Sequence, residues 1–189
     1  VTGGSRGIGR AVAVLAGKRG WRVAITYVAN EQAAAETVAA IEAAGGRGLA
    51  IKADAAKLDD VAKCFDAAEK AFGPVDGFVN NAGVATQVSK LADKDPAEMA
   101  RMVEINVLGA LYGAREAARR MSKSRGGKGG GIVNMSSAAA RPAQLHLTIG
   151  DPKDAVALAP ASADNPRCKE LASVLTPGAT STALLAMKP

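Results

Sequence analysis

The sequence predicts an α/β protein with a doubly wound parallel sheet and three α/β/α layers, on the strength of three observations. Short β-branched runs alternate with longer alanine-rich amphipathic stretches over the first three-quarters of the chain, as in successive βαβ units. A glycine-rich turn separates Val1 from the first helical stretch. The 189 residues are 48% hydrophobic but only 3% aromatic, so we expect one domain with a core of Ala, Val, Ile and Leu.

Each element follows from a local pattern. Runs preceded by glycine or a polar turn predict buried strands at Trp21 to Tyr27, Arg47 to Lys52, Asp76 to Asn80 and Gly131 to Met135. Apolar residues at helical spacing predict helices over Ile8 to Lys18, Glu31 to Ala44, Leu58 to Phe72 and Pro96 to Met121. Right-handed crossovers would place these helices on both faces of the sheet. Only Val1 precedes the glycine turn, so we expect a clipped N-terminal strand; beyond about Pro142 no element is predicted.

Charge, cysteine and hydropathy patterns narrow the function classes. A net charge of +6 favours a phosphate-bearing ligand or a polyanionic surface. Cys64 and Cys168 lie far apart and His146 is the single histidine, which argues against a zinc site or a disulfide framework. The absence of a long apolar run or a leader predicts a soluble, cytoplasmic protein without membrane contact. The basic stretch from Arg119 to Lys128 lacks interleaved aromatics and follows a helix, so we expect it to offset the helix dipole rather than bind nucleic acid.

The segment Gly3-Gly4-Ser5-Arg6-Gly7-Ile8-Gly9 lies between the predicted clipped strand and the first helix. Glycines allow the backbone to turn sharply and to approach a pyrophosphate, and the amides that open a helix favour anions. The alternative is a tight strand-to-helix turn without a ligand. In its βαβ context the segment favours nucleotide binding.

Five ordered motifs carry a resemblance to the short-chain dehydrogenase/reductase family. They are TGGSRGIG at residues 2–9, Asp54 after the strand RGLAIK, NNAG at residues 80–83, Asn106 in EINVLG, and Ser136-Ser137 after IVNM. The resemblance covers Val1 to Arg141, while residues 142–189 match poorly apart from Pro177-Gly178 with Thr182 in a PGxxxT spacing. Members of this family are typically Rossmann-fold oxidoreductases that use NAD or NADP.

The resemblance implies hydride transfer between a nicotinamide and a small carbonyl or secondary alcohol, in a homodimer or homotetramer. The long helices over Leu58 to Phe72 and Pro96 to Met121 would then form the subunit interface. By the same resemblance Ser137 would polarise the carbonyl and Asn106 would order a proton-relay water. The residues implied in cofactor binding are Gly3, Ser5, Arg6, Gly7, Ile8 and Gly9 for the phosphates, Asp54 and Ala55 for adenine, Asn81, Ala82 and Gly83 for the ribose and nicotinamide, and Pro177 and Gly178 over the ring.

Each of these sites has a plainer interpretation. The NNAG segment is also a good strand-ending turn, and Asp54 is also a common type of helix N-cap. Asn106 is either a solvated helix residue or, within its apolar surroundings, a buried amide that needs hydrogen-bond partners.

The cofactor preference depends on the end of the strand that stops at Tyr27. A carboxylate there would bind the ribose hydroxyls of NAD and repel the extra phosphate of NADP, but none occurs before Glu31. Arg6 can bind a phosphate through paired hydrogen bonds. NADP is therefore favoured, with NAD as the second choice because Val28 stands where some NADP-preferring relatives carry another basic residue.

The catalytic Tyr-x-x-x-Lys pair of the family is missing from this sequence. The usual interval beyond Ser137 reaches Gly150 and Asp154, and no lysine in that region has a tyrosine four residues before it. His146 is a weak substitute, since a lone histidine is more often incidental. Three explanations stay open: a member that has lost catalysis, a displaced or misread segment after Pro142, or missing residues. The alternative function is an inactive nucleotide-binding or scaffold protein.

Overall fold

The computed structural model describes residues 1–86 and 90–136, and Val1–Met135 forms one compact unit. The strands are β1 (Arg22–Tyr27), β2 (Arg47–Lys52), β3 (Gly77–Asn80) and β4 (Gly131–Asn134). The α-helices are α1 (Gly7–Lys18), α2 (Glu31–Ala43), α3 (Leu58–Phe72), α4 (Pro96–Val103) and α5 (Ala110–Met121), with 3₁₀ turns at Leu91–Asp93 and Lys123–Arg125. The predicted strands and the first three predicted helices are confirmed to within one residue at each end.

The strands form two parallel pairs that meet at Val1 and Thr2. β1 pairs with β2, and β3 pairs with β4. The carbonyl of Val1 accepts a hydrogen bond from the amide of Thr26 at 3.1 Å, and the amide of Thr2 donates to the carbonyl of Val79 at 3.0 Å. These two residues therefore connect β1 to β3 and join the two pairs edge to edge.

Helices cover the strands in two separate hydrophobic clusters. Val23 and Ile25 alternate along β1 and pack with α1 and α2 in a cluster made of small and aliphatic side chains, as the low aromatic content predicts. Gly17 lets α1 approach α2, because a Cβ at that position would lie 2.8 Å from the carbonyl oxygen of Ile41. The second cluster joins α3 and α5 to β3, and in it the rings of Phe65 and Phe78 lie 5.2 Å apart. The three-layer α/β/α prediction is confirmed.

The predicted helix from Pro96 to Met121 is confirmed in its bounds, and its helical backbone is continuous, but its hydrogen bonding changes from α to π in the middle. The side chain of Asp95 accepts a hydrogen bond from the amide of Ala97 at 2.8 Å and begins α4, but α4 ends at Val103. A π-helical segment, Glu104–Gly109, follows, and only then does α5 begin. Such widened turns are frequently found at functional sites.

The basic stretch from Arg119 to Lys128 starts in the last turn of α5, and its residue Arg120 packs against α3. Arg120 lies in the last turn of α5 and forms ion pairs with Asp66 at 2.7 Å and Glu69 at 2.6 Å on α3. Its guanidinium also lies 5.5 Å from the ring centre of Phe65. The first part of this stretch therefore ties α5 to α3.

No helix within residues 1–86 and 90–136 is both long and apolar enough to cross a membrane.

Candidate active site

Three loops that follow the carboxyl ends of parallel backbone segments hold most of the predicted site residues. Residues 3–9 follow Val1 and Thr2, residues 54–55 follow β2, and residues 81–83 follow β3. Ligands in open α/β sheets bind at this edge. Ser137, Pro177 and Gly178 lie outside the described residues.

The glycine-rich loop has a backbone that other residues would not adopt easily. Gly3 and Gly7 have φ angles of 63° and 55°, in the left-handed region that favours glycine. Gly9 is required for a different reason: a Cβ there would lie 2.4 Å from the carbonyl oxygen of Gly3 and 2.5 Å from Nδ2 of Asn81. The loop is therefore closely packed against the segment that follows β3.

The start of α1 fits a phosphate group. Arg6 is the N-cap residue of α1 and makes no side-chain cap, and the first turn carries no acidic residue. The amides of a helix N-terminus without a cap are available to an anion, and the helix dipole favours one. The side chains of Arg6 and Ile8 are exposed beside these amides, Ile8 at 61%.

Thr2 connects the glycine-rich loop to the segment after β3. Its hydroxyl oxygen accepts hydrogen bonds from the amides of Asn81 and Ala82, both at 2.9 Å. Nδ2 of Asn81 in turn donates to the carbonyl oxygens of Thr2 at 2.9 Å and Gly3 at 3.3 Å. The predicted residues Gly3, Asn81 and Ala82 are thus brought together by a buried threonine that the sequence reasoning did not select.

Two more buried threonines, Thr26 on β1 and Thr37 on α2, contact the loop. Oγ1 of Thr26 accepts a hydrogen bond from the amide of Gly3 at 3.1 Å. Oγ1 of Thr37, which is fully buried in α2, shares its one proton between the carbonyl of Ala33 in its own helix at 2.9 Å and the carbonyl of Ser5 at 3.3 Å. A buried threonine in an alanine-rich helix was the available sequence signal for Thr37, because a buried hydroxyl needs a partner.

Asp54 does not cap α3, whose N-cap residue is Lys57. One carboxyl oxygen accepts from the amide of Ala56 at 3.1 Å, and the other accepts from Nη2 of Arg101 at 2.7 Å. Burial raises the pKa of this carboxyl, but the hydrogen bonds from Arg101 and Ala56 and the nearby positive charges outweigh burial, so the net pKa lies below its usual range. Asp54 is therefore an ionised acceptor at neutral pH.

Asn106 lies in the π-helical segment and binds the chain just after NNAG. Its Nδ2 donates to the carbonyl of Val84 at 2.8 Å, and its Oδ1 accepts from the amide of Val84 at 2.9 Å. The residue is exposed, yet its Nδ2 and Oδ1 are each hydrogen-bonded to Val84, which differs from both predicted alternatives. Asn80, which the sequence reasoning passed over, donates from Nδ2 to the carbonyl of Ala110 at 2.7 Å and to Oδ1 of Asn134 at 3.0 Å.

The end of β1 carries no carboxylate. The side chain of Asn30 accepts from the amide of Ala33 at 2.9 Å and caps α2, and Val28 is 54% exposed. Glu31 lies beyond them in the first turn of α2. Within the described parts of the chain, no group of three or more His, Cys, Asp or Glu side chains is placed to hold a metal ion.

Comparisons with known proteins agree on one family. The family model described as short chain dehydrogenase matches residues 1–149. The uncharacterized oxidoreductase YgfF of Escherichia coli K12 is 40% identical over 141 residues, which cover 75% of this chain and 57% of that protein. The chain thus spans about half the length of the curated relatives it matches.

Solved structures give the same result. A short-chain dehydrogenase/reductase from Serratia marcescens BCRC 10948 is 36% identical with a TM-score of 0.67, over 74% of this chain and 55% of that one. The NADH-dependent reductase A1-R′, solved in complex with NAD, is 26% identical with a TM-score of 0.67, over 74% of this chain and 59% of that one.

Proposed function

Since the chain belongs to the short-chain dehydrogenase family, we propose that it binds a nicotinamide dinucleotide across its three loops and serves hydride transfer with a small carbonyl or alcohol. The observation that carries this proposal is the set of hydrogen bonds from Asn81 and Ala82 to Thr2. These bonds hold a phosphate-accepting loop and the NNAG segment side by side, as one extended ligand would require.

The chain's own residues have distinct tasks in this proposal. The first amides of α1 hold the pyrophosphate, Arg6 beside them holds the ribose phosphate that distinguishes NADP, and Asp54 with Ala55 receives the adenine. Asn81, Ala82 and Gly83 line the ribose and nicotinamide, and Asn106 orders a water. When bound, the nicotinamide supplies or accepts the hydride. Ser137 polarises the carbonyl and Pro177 and Gly178 cover the ring, by resemblance alone.

NADP is the proposed cofactor, ahead of NAD. Arg6 is exposed beside the α1 N-terminus, and none of its side-chain atoms forms an ion pair with another described residue. No carboxylate stands between Tyr27 and Asn30 to repel a ribose phosphate. Both features favour the more highly charged dinucleotide.

Replacement of Arg6 tests this preference. We expect Arg6→Met to weaken NADPH binding about tenfold or more, because a charge-assisted phosphate contact is lost, and to change NADH binding little. Isothermal titration calorimetry measures both dissociation constants. Arg19→Met, at the opposite end of α1, is the matched control and should leave both unchanged. Equal weakening of NADPH and NADH by Arg6→Met would contradict the NADP assignment.

The missing catalytic pair is the observation behind a second candidate function, a protein that binds the dinucleotide without turnover, which the family match does not favour. Gly150 and Asp154 stand where the family has its Tyr and Lys, and loss of a general acid alone typically lowers a rate by 10²- to 10⁴-fold. A panel of ketones and secondary alcohols, followed at the nicotinamide absorbance with NADPH and NADP, separates the candidates. Binding with no turnover on any substrate would favour the scaffold.

The remaining proposals concern assembly and location. We propose a homodimer or homotetramer built on an exposed apolar row along α4, the π-helical segment and α5, formed by Val103, Val107 and Leu111 with exposures of 49%, 49% and 61%. A cytoplasmic location is proposed from the cysteine usage, which suits a reducing compartment.

A further inference from the structure

Arg101 on α4 connects two parts of the chain that lie far apart in sequence. Its Nη2 donates to Oδ2 of Asp54 at 2.7 Å across 47 positions, and its Nη1 donates to Oε2 of Glu104 at 3.2 Å. Asp54 follows β2, while Glu104 opens the π-helical segment. The planar guanidinium therefore bridges two carboxylates, which suits its fork of donors.

Asp54 is fixed from three directions by these contacts. Its amide donates to Oδ2 of Asp60 at 3.1 Å, Oδ1 accepts from Ala56, and Oδ2 accepts from Arg101. A carboxylate has about four acceptor positions, so about two are left after these two bonds. The side chain of Asp54 is 15% exposed, so part of the carboxylate stays accessible to an approaching donor.

The same region is packed closely at a second point. A Cβ on Gly109, at the end of the π-helical segment, would lie 2.9 Å from the carbonyl oxygen of Ala55. The segment that carries Asn106 is thus held against residues 54–55 both by the Arg101 ion pair and by this backbone contact.

We propose that Arg101 is a positioning residue that sets how strongly this protein distinguishes the base of its dinucleotide, by holding the Asp54 carboxylate aimed at the amino group of adenine. This inference rests on the proposed function, since it presumes that the adenine half binds at Asp54. A fixed carboxylate accepts a hydrogen bond from an amino group but has no such donor at the corresponding carbonyl of hypoxanthine. Without Arg101 only the amide of Ala56 would hold the carboxylate, so fixing it for the hydrogen bond to the base would cost more conformational entropy.

The experiment compares NADPH with its hypoxanthine analogue, in which a carbonyl replaces the adenine amino group. Calorimetry gives the ratio of the two dissociation constants for each variant. We expect the wild-type chain to prefer NADPH, Arg101→Met to reduce that preference about tenfold, and Arg101→Lys to retain part of it, because lysine keeps the charge but lacks the fork. Arg115→Met, an arginine on α5 paired with Glu116 at 2.8 Å, is the control and should leave the ratio unchanged.

A double-variant cycle shows whether the effect passes through Asp54. In an Asp54→Asn background, Arg101→Met should no longer alter the base preference. An equal loss of affinity for both dinucleotides in Arg101→Met would indicate a structural role only and would overturn the inference. The inference would also be overturned if the base preference persisted in Arg101→Met. The same holds if Arg101→Met changed that preference equally in the wild-type and Asp54→Asn backgrounds.

Two further outcomes distinguish failure of this inference from failure of the proposed function on which it rests. If the wild-type chain binds neither dinucleotide, the proposed function fails and the inference fails with it. If it binds both without preference, the proposed function stands and the inference alone is wrong. Circular dichroism and the thermal midpoint check folding, and if Arg101→Met is unfolded, the ratio for Arg101→Lys decides the question.

Discussion

At the scale of single residues, the least obvious part of the site is a hydroxyl group. Glycines attract attention in a sequence because their backbone freedom is known in advance. Thr2 does not, yet its buried oxygen accepts two amides from the segment after β3. The predicted residues Gly3, Asn81 and Ala82 could be read from motifs, whereas the atom that connects them became visible only with the chain folded.

The role of the Thr2 hydroxyl can be tested by comparing a valine with a serine at this position. Thr2→Val keeps the shape but leaves the amides of Asn81 and Ala82 without an acceptor, so we expect a loss of about 1–3 kcal/mol in the free energy of unfolding and weaker NADPH binding. Thr2→Ser retains the hydroxyl, so its free energy of unfolding and its affinity for NADPH should both fall much less. Urea denaturation and calorimetry measure the two effects. Equal behaviour of the valine and serine variants would mean that the hydroxyl does not connect these loops.

At the scale of elements, the helix and strand ends were predictable where local chemistry marks them. Glycine or polar turns precede β1, β2 and β4, and α3 has the predicted bounds Leu58–Phe72. The π turns inside the helix after Pro96 were not predictable, because the apolar spacing continues through residues 104–109 and neither glycine nor proline interrupts that run before Gly109. The contacts of Asn106 with Val84 and of Gly109 with Ala55 accompany the π-helical turns, and both depend on tertiary packing.

The apolar row on these elements carries a prediction about assembly. We expect the wild-type chain to elute as a dimer or tetramer and Leu111→Glu to shift it toward monomer, because a charge would have to be buried in the interface. Light scattering coupled to size exclusion measures the mass. Leu111 is 61% exposed, so its replacement should leave the circular dichroism spectrum unchanged.

A charge reversal outside the row is the control for that experiment. Lys123→Glu, in the 3₁₀ turn after α5, should assemble like the wild type. A monomeric wild-type chain would contradict the proposed interface.

At the scale of the whole molecule, parallel strands under helices could be read from the alternation of patterns. The long-range ion pair between Asp54 and Arg101 could not, since nothing local relates two residues 47 positions apart. The predicted site residues Ser137, Pro177 and Gly178 lie outside the described residues and stay predictions. Local periodicity thus predicts the layers of strands and helices, whereas contacts between distant loops can be identified only in the folded structure.

That ion pair also links the stability of the whole molecule to pH. The pKa of the Asp54 carboxyl is lowered in the folded chain from an ordinary value of 3.8, so its contribution is present above that value and is lost as pH falls through the lowered one. We expect Asp54→Asn to cost about 1 kcal/mol at pH 6 and progressively less below about pH 4. Urea denaturation across this range measures the difference.

Arg101→Met removes the other half of the pair. The difference in free energy of unfolding between this variant and the wild type should therefore narrow over the same pH range. A cost that stays constant from pH 6 to pH 3 for both variants would show that packing, rather than charge, makes this contact matter.

The position of Thr2 also limits how the cofactor preference of this protein can be redesigned. The glycine-rich loop that would cradle the phosphates begins at Gly3, directly after Val1 and Thr2, whose bonds to Thr26 and Val79 join the two strand pairs. Changes to that loop backbone that alter the cofactor preference would therefore also destabilise the junction between the strand pairs. The side chain of Arg6 is exposed and outside this junction, so an engineer can alter it without opening the sheet.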